Sequence, residues 1–215
     1  MKRCAAALVA ALAILVTAGC TDTDEPVKPG PSASSVPVSM TYDEAYRALP
    51  MDGTEKLPIR WDLSQVQDTD EVLAARRSLV FLYWEGSQTD WTPIVPIGRF
   101  LYTDELSKLI LAPFADVTNN EDPATGPLWV KTMGVERAGA DRATVTFCTD
   151  TGYWRRASDG PQVRKDRAIV ESYEMHYVQA GDGERRWLAD RHFAIDLKRG
   201  PKYGAECTKW ARHQP

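Results

Sequence analysis

The chain is short of the residues on which most site chemistry depends. Among its 215 residues there are only three histidines and four cysteines, and two of the cysteines, Cys4 and Cys20, fall in the first twenty positions. No CxxC, HxH or HxxxH spacing is present to pre-orient ligands, so neither a metal nor a cofactor is expected. No GxSxG elbow presents a nucleophile. No glycine-rich phosphate loop occurs either, since Gly181-Asp182-Gly183 reads as a hairpin turn. Basic charge does not cluster: 26 lysines and arginines face 30 acidic residues, a net charge of −4, which excludes nucleic acid as a partner. Arg185-Arg186 and Lys198-Arg199 are short and read as solvated strand ends. The one long apolar run, residues 5–16, falls short of the roughly 20 residues a membrane span needs.

What is present begins with that run. Met1-Lys2-Arg3 precede it, and Thr17-Ala18-Gly19-Cys20 follow. A basic start, an apolar segment and small residues before a cysteine resemble a bacterial lipoprotein signal peptide, although Thr17 stands where such signals usually carry leucine. The resemblance implies cleavage after residue 19 and acylation of Cys20, whose chains would hold the protein at the outer face of the cell membrane. The rival is an ordinary secretory signal, with Cys20 a simple thiol. Removing Lys2 and Arg3 leaves 24 basic against 30 acidic residues, a net charge of −6.

Export leaves Cys148 and Cys207 as the cysteines of the folded part. In an oxidising compartment the simplest expectation is one disulfide. Closing a loop of about 60 residues contributes roughly 4 kcal/mol in the chain-entropy model. Residues 20–40 are rich in proline, serine and acidic side chains and have little to bury, so they read as a tether. Residues 41–215 are within the usual size of one domain, with seven tryptophans to fill a core.

Thr41 and Glu44 form a capping-box pattern for a helix over 42–49 that stops at Pro50. Apolar residues at helical spacing predict a helix over 69–85, with Asp68 and Glu71 at its start and Gly86 ending it in a left-handed conformation. Thr103 and Pro113 bracket a third, over 104–112. Beyond Pro127 the composition turns β-branched and aromatic. Strands are expected over 128–137, 143–148, 163–178 and 186–197, as an antiparallel meander. The last alternates Trp187, Ala189, Phe193 and Ile195 with Leu188, Asp190, His192 and Asp196, the pattern of a sheet covered on one face. Helices followed by strands make an α+β domain.

This order, with Cys148-x-Asp150-x-x-x-Trp154 and the Arg186-Trp187-Leu188 entry to the last strand, resembles the NTF2-like (cystatin-like) superfamily over residues 65–197, in particular actinobacterial secreted and lipid-anchored members. The resemblance implies N-terminal helices packed on a curved antiparallel sheet that encloses a cone-shaped pocket. Members acting as isomerases or dehydratases use an Asp or His base inside the cone. The candidates here are Asp90, Glu174, His176, Asp190 and His192, with the two histidines on neighbouring strands and able to share a face if the register allows. Hydrated strand ends are the simpler reading of these residues. Tyr83, Trp84, Trp91, Trp129, Tyr173, Tyr177 and Trp187, with His176, are the candidate pocket lining. The expectation is a lipid-anchored extracytoplasmic domain that binds an envelope protein or another molecule without chemistry of its own. The alternatives are an isomerase- or dehydratase-type enzyme and a carrier of a small apolar ligand.

Overall fold

Local signals in the sequence set where the helices begin. In a computed structural model, which describes residues 40–114, 116–160 and 164–212, Thr41 caps α1 (Tyr42–Ala48). Its hydroxyl accepts from the Glu44 amide at 3.3 Å, and Glu44 Oε2 accepts from the Thr41 amide at 2.8 Å, so two end-of-helix donors are satisfied reciprocally. The expected signal peptide, Cys20 and all of the tether except Met40 lie outside the described residues.

The main helix, α2 (Asp70–Ser87), follows a short strand β1 (Ile59–Asp62). Two of its expected boundary devices differ. Asp68 does not cap the helix but pairs with Arg76 at 2.6 Å, and Arg76 in turn lies over the Trp61 ring at 4.3 Å. Gly86 is inside the helix, which ends at Gln88 in extended conformation rather than at a left-handed glycine. After the one-turn α3 (Val95–Gly98), Thr103 caps α4 (Asp104–Leu111) as expected.

The strands are β2 (Ala124–Thr125), β3 (Leu128–Arg137), β4 (Arg142–Asp150), β5 (Arg155–Arg156), β6 (Ala168–Gln179) and β7 (Arg185–Phe193). Five of them form one sheet in the order β1-β3-β4-β6-β7, and β2 pairs with β5. The expected meander is present from β3 to β7, and a positive-φ Gly183 turns the chain between β6 and β7. The sheet is nevertheless mixed, because β1 runs parallel to β3. The sequence reading assigned residues 59–62 no element, since four residues between Pro58 and a polar loop carry no periodic signal. The last two strands are also shorter than expected. β6 starts at Ala168 and β7 ends at Phe193, which leaves Ile195 and Leu197 exposed in the loop beyond.

The larger correction is the second face of the sheet. A helix unassigned from sequence, α5 (Gly200–Ala211), lies across β4 and β6 on the side opposite α2. Tyr203, Cys207 and Ala211, four residues apart, are its buried stripe. The sheet is therefore covered on both sides, and every residue of β4 from Ala143 to Asp150 is buried. Cys207 forms the expected disulfide with Cys148, with Cα atoms 5.3 Å apart, so the crosslink joins helix to strand rather than strand to strand. Gly134 makes the close approach possible: a Cβ there would stand 2.4 Å from the Tyr203 hydroxyl oxygen.

The two layers differ in chemistry. Between α2 and the sheet, Leu79, Val80, Phe81, Phe147, Tyr173 and Met175 are all essentially without solvent contact. Each such side chain contributes about 1.5–3 kcal/mol of apolar burial. Under α5 the apolar contacts are fewer and charged pairs supplement them. Lys131 reaches Glu206 at 3.0 Å, and Arg199 reaches Asp196 at 3.0 Å and Glu136 at 2.9 Å. Arg164 bridges Asp150 and the carbonyl of Ala211, an otherwise unpaired acceptor at the helix end.

Candidate functional site

The candidate catalytic residues are scattered. Asp90 is exposed and accepts the Thr92 amide at 2.9 Å in a local turn. Glu174 has only a long contact, 3.8 Å, to Arg191. The two histidines do not share a face. His192 pairs with Tyr173 across the ladder, and alternation along β6 places His176 on the side opposite Tyr173.

His176 and Asp190 do meet, at 3.5 Å, in a surface groove of about 450 Å³. Asp190 is the extra residue of an irregularity in β7, where Glu174 pairs with Arg191 but Met175 pairs with Ala189. Its Oδ1 accepts the Thr103 hydroxyl at 3.0 Å, and Thr103 Oγ1 accepts the Leu106 amide at the start of α4. Backbone bonds join the same two segments: the Thr103 amide donates to the Ala189 carbonyl and the Ala189 amide to that of Leu101, each at 2.9 Å. Asp190 thus fastens α4 to the outer edge of β7 and shields that edge from further pairing.

His192 belongs to a buried polar cluster that sequence reasoning missed. Its ring stacks on Tyr173 at 4.5 Å, and its Nε2 lies 3.2 Å from Oε2 of Glu171, whose side chain is almost fully enclosed. Oε1 of Glu171 accepts from Tyr83 at 3.1 Å and from the Thr149 hydroxyl. Burial, then the neighbouring Glu171 carboxylate, holds the Tyr83 phenol well above its usual titration range. The cluster ties α2 to β4, β6 and β7, with the Glu171 side chain enclosed at its centre. Parity along β6 put Glu171 on the helix-facing side, but nothing in the sequence indicated its partners.

The expected aromatic pocket is for the most part packed core. Tyr173 is 1% exposed and Trp129 8%, the latter against Tyr153. Tyr83 meets Trp154 edge-on, Trp84 packs on the main core, and Trp91 lies on Phe114 with its Nε1 donating to the Glu85 carbonyl. Only Trp187 and Tyr177 face a cleft together, and His176 faces a different one.

The Trp187 cleft, of about 240 Å³, is the most distinctive concavity in chemical terms. Three arginines enter it from two elements: Arg77 from α2, and Arg185 and Arg186 from β7. Arg77 lies over the Tyr46 ring at 4.0 Å and Arg185 over Tyr177 at 4.5 Å, while Tyr177 and Trp187 pack at 5.3 Å. Arg186 is held by Asp182 at 2.7 Å and Glu184 at 2.8 Å. Neither Arg77 nor Arg185 has a carboxylate at ion-pair distance among the described residues. Burial draws Arg77 below its ordinary value, with Tyr46, Asp68 and Asp70 pulling the other way and Arg186 adding repulsion. Burial likewise pushes the Tyr46 phenol up to about 12, against the pull of Arg77 and Arg186. Arg185 and Arg186 open β7, as expected of a strand end, and Arg185 is exposed; the fold also sets them beside half-buried Arg77 in an aromatic-walled cleft.

No protein-family model matches this chain, and no curated protein or solved structure is significantly similar to it.

Proposed function

We propose that this chain is a lipid-anchored extracytoplasmic protein whose domain binds another molecule rather than transforming it. The observation that carries the binding reading is the filled interior. The space between α2 and the sheet, where an NTF2-like enzyme or carrier would keep its cavity, is occupied by Phe81, Phe147, Tyr173 and Met175. Specific surface is left on the outside, in clefts lined by charged and aromatic side chains. The Cys148–Cys207 disulfide supports an oxidising compartment. The order of helices before strands, and the seating of α2 across β4, β6 and β7, support an NTF2-like origin, to which β1 and α5 are additions.

Anchoring rests on the residue pattern around Cys20. The expected outcome for Cys20→Ala is release of the protein from the membrane fraction into the medium, followed by fractionation and immunoblotting. Unchanged membrane retention would contradict acylation at that residue.

A further inference from the structure

The Arg77–Arg185 cleft has the construction of an anion site. Stacking a guanidinium flat on an aromatic ring leaves its N–H groups pointing outward in the plane, as a fork for oxygen acceptors. Arg77 and Arg185 each lie over such a ring, with the guanidinium carbon 4.0 Å from the Tyr46 centroid and 4.5 Å from that of Tyr177. Arg185 spends one N–H on the Tyr177 carbonyl at 2.7 Å. Arg186 spends its Nε and Nη2 on Asp182 and Glu184, which leaves Nη1. With Arg186 paired to Asp182 and Glu184, placing Arg77 and Arg185 in one cleft without a carboxylate at ion-pair distance among the described residues costs free energy that an anion between them offsets. The cleft does this in a chain with an excess of acidic residues, and Asp70 is the only acidic side chain among those described as lining it.

Geometry favours phosphate over carboxylate. Forks that arrive from two separate elements suit a tetrahedral group with three or four acceptor oxygens better than a planar group with two. About 240 Å³ is below the usual range for drug-sized ligands and fits a headgroup. A neighbouring groove of about 580 Å³ shares Arg186 and includes Met40, Tyr42 and Phe100, room for the organic remainder.

We propose that this cleft binds the phosphate of a small phosphate ester, with Arg77 and Arg185 as its principal donors and Trp187 and Tyr177 as the wall beside them. The proposal deepens the binding reading above and rests on it. Retention through Cys20 is measured separately, so anchoring can stand if the cleft fails.

The test uses the full chain extracted in non-ionic detergent, titrated calorimetrically with glycerol phosphate and, as an uncharged control, glycerol. Glycerol phosphate alone should bind, and Arg77→Gln/Arg185→Gln should weaken it about tenfold or more, the scale of losing charge-assisted hydrogen bonds. Arg60→Gln, an exposed arginine elsewhere on the sheet, should leave binding unchanged. If the double variant melts early, the single Arg185→Gln, at an exposed side chain, should still weaken binding measurably. A flotation assay on Cys20→Ala protein then separates the sources. Arginine-dependent binding to phosphatidylglycerol vesicles, and not to phosphatidylcholine alone, assigns a lipid headgroup; glycerol phosphate binding without flotation assigns a soluble ester. No heat with glycerol phosphate together with no arginine-dependent flotation overturns the proposal, and so does binding that the double variant retains in full.

Discussion

Glu85 shows how one side chain can be held against its own preference. It lies in the last turn of α2, where the free carbonyls of the helix end carry partial negative charge and no basic residue compensates. Burial pushes its carboxyl up to about 7. In the unfolded chain the same group titrates near about 4.3. Between those values the folded protein holds a proton that the unfolded chain has released. Stability from this group is therefore fully present below about pH 4.3 and is lost as the pH rises through about 7, a change on the order of 3 kcal/mol. Glu85→Gln should abolish that slope. In urea unfolding the variant should be more stable than the parent at pH 8, with the difference shrinking towards pH 5. A difference between the two proteins that does not vary with pH would count against a neutral buried Glu85. The buried Glu171 side chain has three partners, and the cluster joins α2 to three strands.

Among the elements, α5 and its disulfide mark where sequence reasoning ran out. Capping chemistry is local, so Thr41 with Glu44 and Thr103 with Pro113 locate α1 and α4 within a residue or two. Hydrophobic spacing located α2, and β-branched and aromatic composition between turn residues located the four long strands. The stripe Tyr203, Cys207 and Ala211 is equally legible, with Pro201 at the helix start, but an expected final strand that runs to residue 197 obscures it. The one-sided alternation also misled: on the α5 side of the sheet, Met133, Cys148 and Val170 pack with the helix, and Thr146, Ser172 and Lys131 are polar yet buried. Thr146 and Ser172 hydrogen-bond each other at 3.1 Å beneath the helix. Polarity in a strand thus signalled a hydrogen-bonded layer, not water. The arginine cleft was invisible for a different reason, since Arg77 and Arg185 are far apart in the chain and meet only through the fold. Replacing both Cys148 and Cys207 by alanine should cost about 2–4 kcal/mol in chemical denaturation. Hydrogen exchange should locate the loss, with the amides of residues 200–211 exchanging faster while those of β4 stay protected. Unchanged exchange in α5 would mean that the ion pairs of Lys131 and Arg199 hold the helix without the crosslink.

For the molecule as a whole, the structure shows a doubly covered sheet with a filled interior and clefts of charged and aromatic side chains on its surface, and the proposed lipid anchor would hold it outside the membrane. Acylation of Cys20 is the central proposal, because an ordinary secretory signal would give the same oxidising compartment and disulfide but no membrane anchor. Intact-mass and peptide mass spectrometry of the membrane-extracted protein tests this most directly. The account predicts a chain that begins at Cys20 and carries diacylglyceryl mass on its sulfur. A mature chain that starts elsewhere, or an unmodified Cys20, would contradict it.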